Sequence, residues 1–131
     1  MGNKISAKVN FSNEFAGDLF MEEGSVKIGA GSDRLGPYTL LLGALASCYY
    51  VTFLDIAKKK RAEFSHVEIQ LDGEKRDEIP ATLKQASLKI KVYGGQDEKA
   101  LLRSFELASK YCSVYQTLAF AAEMSYTGEF A

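Results

Sequence analysis

The chain carries two cysteines, and any chemistry it performs by nucleophilic attack starts with them. Cys48 lies inside LLLGALASCYYVTFLDIAKKKR, residues 40–61, the most apolar stretch of the sequence. Cys112 lies in SKYCSVYQTLAF. An unperturbed thiol is only a few per cent ionised at neutral pH, so reactivity needs a nearby cation, a base or a helix N-terminus. Cys48, placed in mid-helix, receives no such help from its own helix. Cys112 would receive it if the chain broke at Tyr111 and a new helix began at Ser113. The alternative is plain packing, because a free cysteine behaves as a small hydrophobe and is among the most buried residue types. Spacing alone leaves both readings open: two packing residues, or two halves of one redox site.

Other chemistry-bearing residues are sparse. Tyr49, Tyr50, Tyr111 and Tyr115 flank the thiols and read as core or interface aromatics, with a hydroxyl that could donate to a bound ligand. Glu106 and Glu123 could act as bases only if the fold brings them to Cys48. His66 is the single histidine and reads as exposed at the start of a strand. One histidine and no CxxC cannot assemble ordinary zinc spacing, so no metal is expected. The glycine-rich loop GAGSDRLGPY lacks the GxxxxGK[ST] pattern of a phosphate-binding loop, and no cofactor is expected.

The elements that would position these residues follow from periodicity. Ile5, Ala7, Val9 and Phe11 alternate with polar residues, as a half-buried strand does. Ser12–Asn13–Glu14 turns the chain, Phe15, Gly17, Leu19 and Met21 alternate in a returning strand, and a third strand covers Ser25–Gly29. Pro37 suits a first helical residue, where a missing N–H costs nothing. From Tyr38 to Ala57 only Gly43 interrupts a helix that is apolar on nearly every side up to Ala46, so it reads as a central helix under other layers. Its small residues Gly43, Ala44, Ala46 and Ser47 would admit a neighbouring backbone closely. Cys48 shares a face with Leu41, Leu45 and Thr52. Val67, Ile69 and Leu71, then Leu88, Ile90 and Val92, give two antiparallel strands joined near Asp77–Ala81. Gln96–Asp97 caps a second helix with Leu101, Phe105, Ala108 and Cys112 on one face. Tyr115–Ala121 continues or restarts that helix, and Met124–Phe130 reads as a last strand.

Bulk properties bound the rest. The 131 residues, 47% hydrophobic and 25% charged, suit a single domain spanning 1–131, able to bury roughly two-thirds of its unfolded surface. With 16 basic and 17 acidic residues, net charge −1, the chain lacks the basic footprint of a nucleic-acid binder. The run Lys58–Arg61 reads as cations opposing a helix C-terminal dipole. Met1 leads into an alternating strand rather than a secretory h-region. The uninterrupted apolar run Leu40–Leu54 is shorter than the ~18 residues a membrane span requires. A cytoplasmic protein without membrane attachment is expected, and thiols there are normally reduced.

The Pro-led helix with LLLGALASC, the helix-ending KYCSV and the order of strands around them together resemble the OsmC/Ohr family, over essentially the whole chain. The resemblance implies an α+β, OsmC-like fold: antiparallel sheets around a long central helix, in an intertwined homodimer with two sites at the subunit interface. It also implies thiol-dependent reduction of organic hydroperoxides in oxidative-stress defence. By position, Cys48 would be the thiol attacked by peroxide and Cys112 the resolving one, with an external dithiol as reductant. Two departures stand out. Active members carry a Glu where this chain has Tyr38, and an Arg between the first strands, where this chain reads FSNEFAGD. Arg34 is then the candidate cation for a Cys48 thiolate. Two rival functions share the fold: a binding module holding a small lipid-like ligand, and a redox sensor using the thiols stoichiometrically.

Geometry separates these cases. Close thiols with a guanidinium beside Cys48 support a peroxidase, and close thiols without a cation suggest a slow sensor or weakened enzyme. Thiols more than about 10 Å apart among apolar side chains would be packing residues, since a disulfide needs Cα atoms within roughly 4.4–6.8 Å.

Overall fold

The computed structural model describes residues 2–131 and shows an α+β chain of two three-stranded sheets and three helices. It divides into two compact units, one ending at Leu41 and one running from Leu42 to Ala131.

In the first unit, β1 (Val9–Phe11), β2 (Ala16–Met21) and β3 (Gly24–Gly29) form an antiparallel meander. The register sets Val9 against Leu19 and Gly17 against Ile28. The first strand is shorter than the Ile5–Phe11 alternation suggests: Ile5 is 95% exposed, and the β2 register reaches back only to Val9. Alternation creates a strand only where a partner strand supplies hydrogen bonds. Gly29 has φ +147 and sits against the Phe15 carbonyl, so a side chain is excluded there twice over. The loop after it folds back on β3 through Gly29 N–H to Leu35 O and Leu35 N–H to Lys27 O.

Helix α1 spans Pro37–Lys59, with Pro37 as its first residue and Lys58 and Lys59 opposing the dipole in its last turn. By length and composition alone this helix, with a mean hydropathy of 1.7 over its most apolar window, could cross a membrane. The uninterrupted run Leu40–Leu54 understates it, because Pro37–Thr39 and Asp55–Lys59 extend the same helix. Its stripe Leu45–Tyr49–Phe53–Ala57 is nonetheless buried within the chain. The opposite stripe, Gly43, Ala44, Ser47 and Val51, is exposed. The expected cover over Leu40–Ala46 is therefore incomplete within a single chain.

The second unit continues with β4 (His66–Lys75), β5 (Leu83–Tyr93), α2 (Glu98–Tyr111), α3 (Ser113–Ala119) and β6 (Glu123–Phe130). β5 is the central strand, antiparallel to β4 and parallel to β6. The parallel pairing follows from the helical crossover, which returns the chain to the sheet in its original direction. Ala86, Leu88, Ile90 and Val92 supply the buried face of β5. Asp97 caps α2 by accepting the Ala100 N–H at 3.1 Å. Helices α1 and α2 meet through aromatic rings: Phe53 stacks on Phe105 at 4.5 Å, and the Tyr49 hydroxyl donates to the Phe105 carbonyl at 2.9 Å.

Candidate functional site

The α1–α2 contact sets the thiols together. Phe53 meets Phe105, and one step earlier on α1 and later on α2 Cys48 meets Cys112. The Cys112 sulfhydryl lies within hydrogen-bonding reach of the Cys48 sulfur. Both thiols are free; Cys48 is half-buried and Cys112 is fully buried. The Leu101–Phe105–Ala108–Cys112 stripe of α2 is buried along its length.

A break in the helix gives the site its character. Cys112, at φ −71 and ψ 115, ends α2 and caps α3. Its own N–H still donates to Ala108 O at 2.8 Å, and its sulfur accepts the Tyr115 N–H at 3.4 Å. In an unbroken helix the Ser113 and Val114 N–H groups would donate to Ser109 and Lys110. Here the Gln116 side chain takes the Ser109 carbonyl at 2.8 Å. The two N–H groups are left as the orphan donors of a helix start, and both act to lower the Cys48 thiol. The Ser113 hydroxyl lies 3.6 Å from the same sulfur.

These contacts move the two acidities in opposite directions. For Cys48, partial burial pushes the thiol up, but the Val114 N–H, the Cys112 sulfhydryl and both Ser113 donors outweigh it, and the thiol lies below its ordinary 9.0. For Cys112, burial dominates and the neighbouring Cys48 adds to it, so the thiol is pushed up to about 11. The help of a helix start thus goes to both thiols: at Cys112 the Tyr115 and Val114 N–H groups lower the thiol but burial outweighs them, and at Cys48 the donors prevail. Among the groups that shift Cys48 there is no charged side chain. Sequence reasoning did not find Ser113 and Val114 as donors. The one available signal was a serine directly after Cys112 at a possible helix start.

The remaining candidates differ in exposure and in partners. Arg34 belongs to the first unit, where its Nη1 donates to Gly17 O at 2.9 Å and Ile28 O at 3.4 Å, tying the loop to β2 and β3. Tyr38 occupies the first turn of α1. Tyr49 and Tyr115 are buried, and Tyr126 packs with them. The Tyr49 hydroxyl is committed to Phe105 and its burial raises its pKa, so it is not a free donor. Tyr111 is 71% exposed. Glu106 pairs with Arg103 on the α2 surface, and Glu123 is exposed on β6. His66 is exposed with its ring stacked on Tyr93. A cavity of about 690 Å³ lies at the C-terminal end of α1, lined by Tyr50, Leu54, Lys58, Arg61 and Phe64 among others. Neither cysteine lines it. Among the described residues no group of three His, Cys, Asp or Glu is arranged to hold a metal ion.

Three comparisons bear on this arrangement. The family model for OsmC-like protein matches residues 29–127. Protein YhfA of Escherichia coli K12 is 29% identical over 103 residues, 76% of this chain and 76% of that protein. An OsmC like protein from Mycoplasma pneumoniae superposes with a TM-score of 0.88 at 16% identity, covering 100% of this chain and 99% of that one. The organic hydroperoxide resistance protein OhrB of Bacillus subtilis superposes with a TM-score of 0.68 at 19% identity, over 95% of this chain and 98% of that one. At these identities the two superpositions establish a shared fold.

Proposed function

The chain belongs to the OsmC-like protein family, and on that premise we propose that it reduces organic hydroperoxides with Cys48 and Cys112 as its redox pair. The observation that carries this reading is the meeting of two free thiols at the α2–α3 break, with Ser113 of that break 3.6 Å from the Cys48 sulfur. There one thiol is held low and the other high. A peroxide needs a thiolate to attack it, and the resolving partner must stay protonated until it is wanted.

The Cys48 thiolate attacks the distal oxygen of the hydroperoxide. The O–O bond breaks, the alkoxide leaves and takes a proton to become the alcohol, and Cys48 becomes a sulfenic acid. The sulfenic acid is neutral, so the influence of the Cys48 charge on Cys112 vanishes at that moment. Burial still raises Cys112, but the Tyr115 and Val114 N–H groups that lower it remain. Cys112 then attacks the Cys48 sulfur, water leaves and a disulfide forms. An external dithiol reduces it, returning two thiols and a dithiol disulfide. Arg34, the candidate cation of the sequence, donates to the Gly17 and Ile28 carbonyls, and the reading stands on the two thiols.

The active form in this reading is a cytoplasmic homodimer, supported by the exposed Gly43–Ala44–Ser47–Val51 stripe of an otherwise apolar helix. A second reading, a slow redox sensor, is favoured by the lack of a charged side chain among the groups that lower Cys48. Consumption of cumene hydroperoxide under excess dithiothreitol separates them. An enzyme consumes many equivalents per subunit at a constant rate, whereas a sensor consumes one and is re-reduced only slowly.

A further inference from the structure

We propose that Ser113 activates Cys48: its hydroxyl, with the Ser113 and Val114 N–H groups freed by the break between α2 and α3, holds the Cys48 sulfur as a thiolate in place of a cation. This rests on Cys48 being the reactive thiol.

The geometry supports the assignment from several sides. The Ser113 hydroxyl is 3.6 Å from the Cys48 sulfur and makes no other hydrogen bond among the described residues. Either atom could donate while Cys48 is protonated, but a thiolate has no proton, so in the reactive form the hydroxyl must donate. Hydrogen bonds to an ionised acceptor are roughly twice as strong as neutral ones. Ser113 is the first residue of α3 and exposed, so its side chain rotates towards the sulfur without displacing core packing. The two backbone donors come from the same short segment, and a side-chain substitution that keeps both N–H groups removes the hydroxyl alone, which makes it the testable member. The titratable group facing Cys48 is Cys112, itself held as a thiol. Lysine, arginine and carboxylate side chains are absent from the groups that shift Cys48.

A set of neutral donors lowers a thiol's pKa without a fixed positive charge.

The test is the pH dependence of Cys48 alkylation by iodoacetamide, read peptide by peptide so that Cys112 is followed separately. It compares wild type, Ser113→Ala and Ser113→Thr in the full-length reduced protein. Ser113→Ala is expected to raise the Cys48 midpoint by about one unit, a roughly tenfold loss of thiolate at neutral pH, with the high-pH plateau rate unchanged. Ser113→Thr keeps a hydroxyl and should restore the wild-type midpoint. An unchanged midpoint in Ser113→Ala overturns the proposal. So does a shift shared equally by Ser113→Thr, because the hydroxyl is then not the agent. If wild-type Cys48 alkylates with a Ser113-dependent midpoint but no hydroperoxide is consumed, the peroxidase reading fails and the role of Ser113 stands.

Discussion

Cys112 lies fully buried at the junction of α2 and α3, and its ionisation there is opposed first by desolvation and then by Cys48. Its folded pKa, about 11 against an ordinary 9.0, links it to stability with a definite sign. Below pH 9 the thiol is protonated in both states and its contribution is complete. Between 9 and 11 the unfolded chain ionises while the folded one does not, so stability falls as pH rises through that window. The loss amounts to about 2–3 kcal/mol at most. Cys48 has the opposite shift: its contribution is present above the ordinary value and lost as pH falls through the lowered one. The pair is therefore most stabilising near pH 9. Under reducing conditions the urea midpoint should fall from pH 9 to pH 11, and fall less steeply in Cys112→Ala. Tyr49 and Tyr115, both raised by burial, act in the same direction and leave a residual slope. Equal slopes in the two proteins would show that Cys112 does not carry this effect.

The contact between α1 and α2 has its support beneath it, on β6. A Cβ at Gly128 would meet the Phe105 ring at 2.8 Å, and Phe105 is fixed from above by Phe53 and by the Tyr49 hydroxyl on its carbonyl. The ring has nowhere to move. Gly128→Ala is expected to cost about 1–3 kcal/mol by overpacking and to lower the urea midpoint accordingly; an unchanged midpoint would mean that α2 can lift freely. Much of this scaffold was legible in the sequence. The alternation at Val67–Leu71 and Leu88–Val92 marks β4 and β5, Pro37 marks the start of α1, Asp97 caps α2, and Phe105 and Cys112 share its inner face. The first strand was over-read, because Ile5 and Ala7 alternate correctly but gain no ladder on β2. The donors at Cys48 were not legible. They exist only because α2 breaks at a residue that is neither Gly nor Pro, and because α1 crosses at that level. Both facts depend on packing between segments far apart in the chain.

At the scale of the whole molecule, α1 has more apolar surface than its own chain covers. A Cβ at Gly43 would meet nothing within 4 Å, so the glycine is not required by the subunit's own packing. It even weakens the helix, by about 1 kcal/mol relative to alanine. A close approach by a second copy along Gly43, Ala44, Ser47 and Val51 would account for it. If the proposed dimer forms along this stripe, Gly43→Leu should weaken it, so that the variant unfolds on dilution at a higher protein concentration than wild type. Dilution of the wild type should unfold it rather than release a stable monomer. A compact monomer persisting at nanomolar concentration, or a Gly43→Leu dimer as tight as wild type, would place the interface elsewhere.

The most direct test of the central claim is the number of equivalents of cumene hydroperoxide consumed per subunit with excess dithiothreitol by wild type, Cys48→Ser and Cys112→Ser. The account predicts sustained turnover by wild type and none above background by Cys48→Ser. Cys112→Ser cannot close the intramolecular disulfide, so dithiothreitol must reach the Cys48 sulfenic acid directly, and turnover should be slower than wild type and decay as Cys48 over-oxidises. Turnover by Cys48→Ser at the wild-type rate would contradict it.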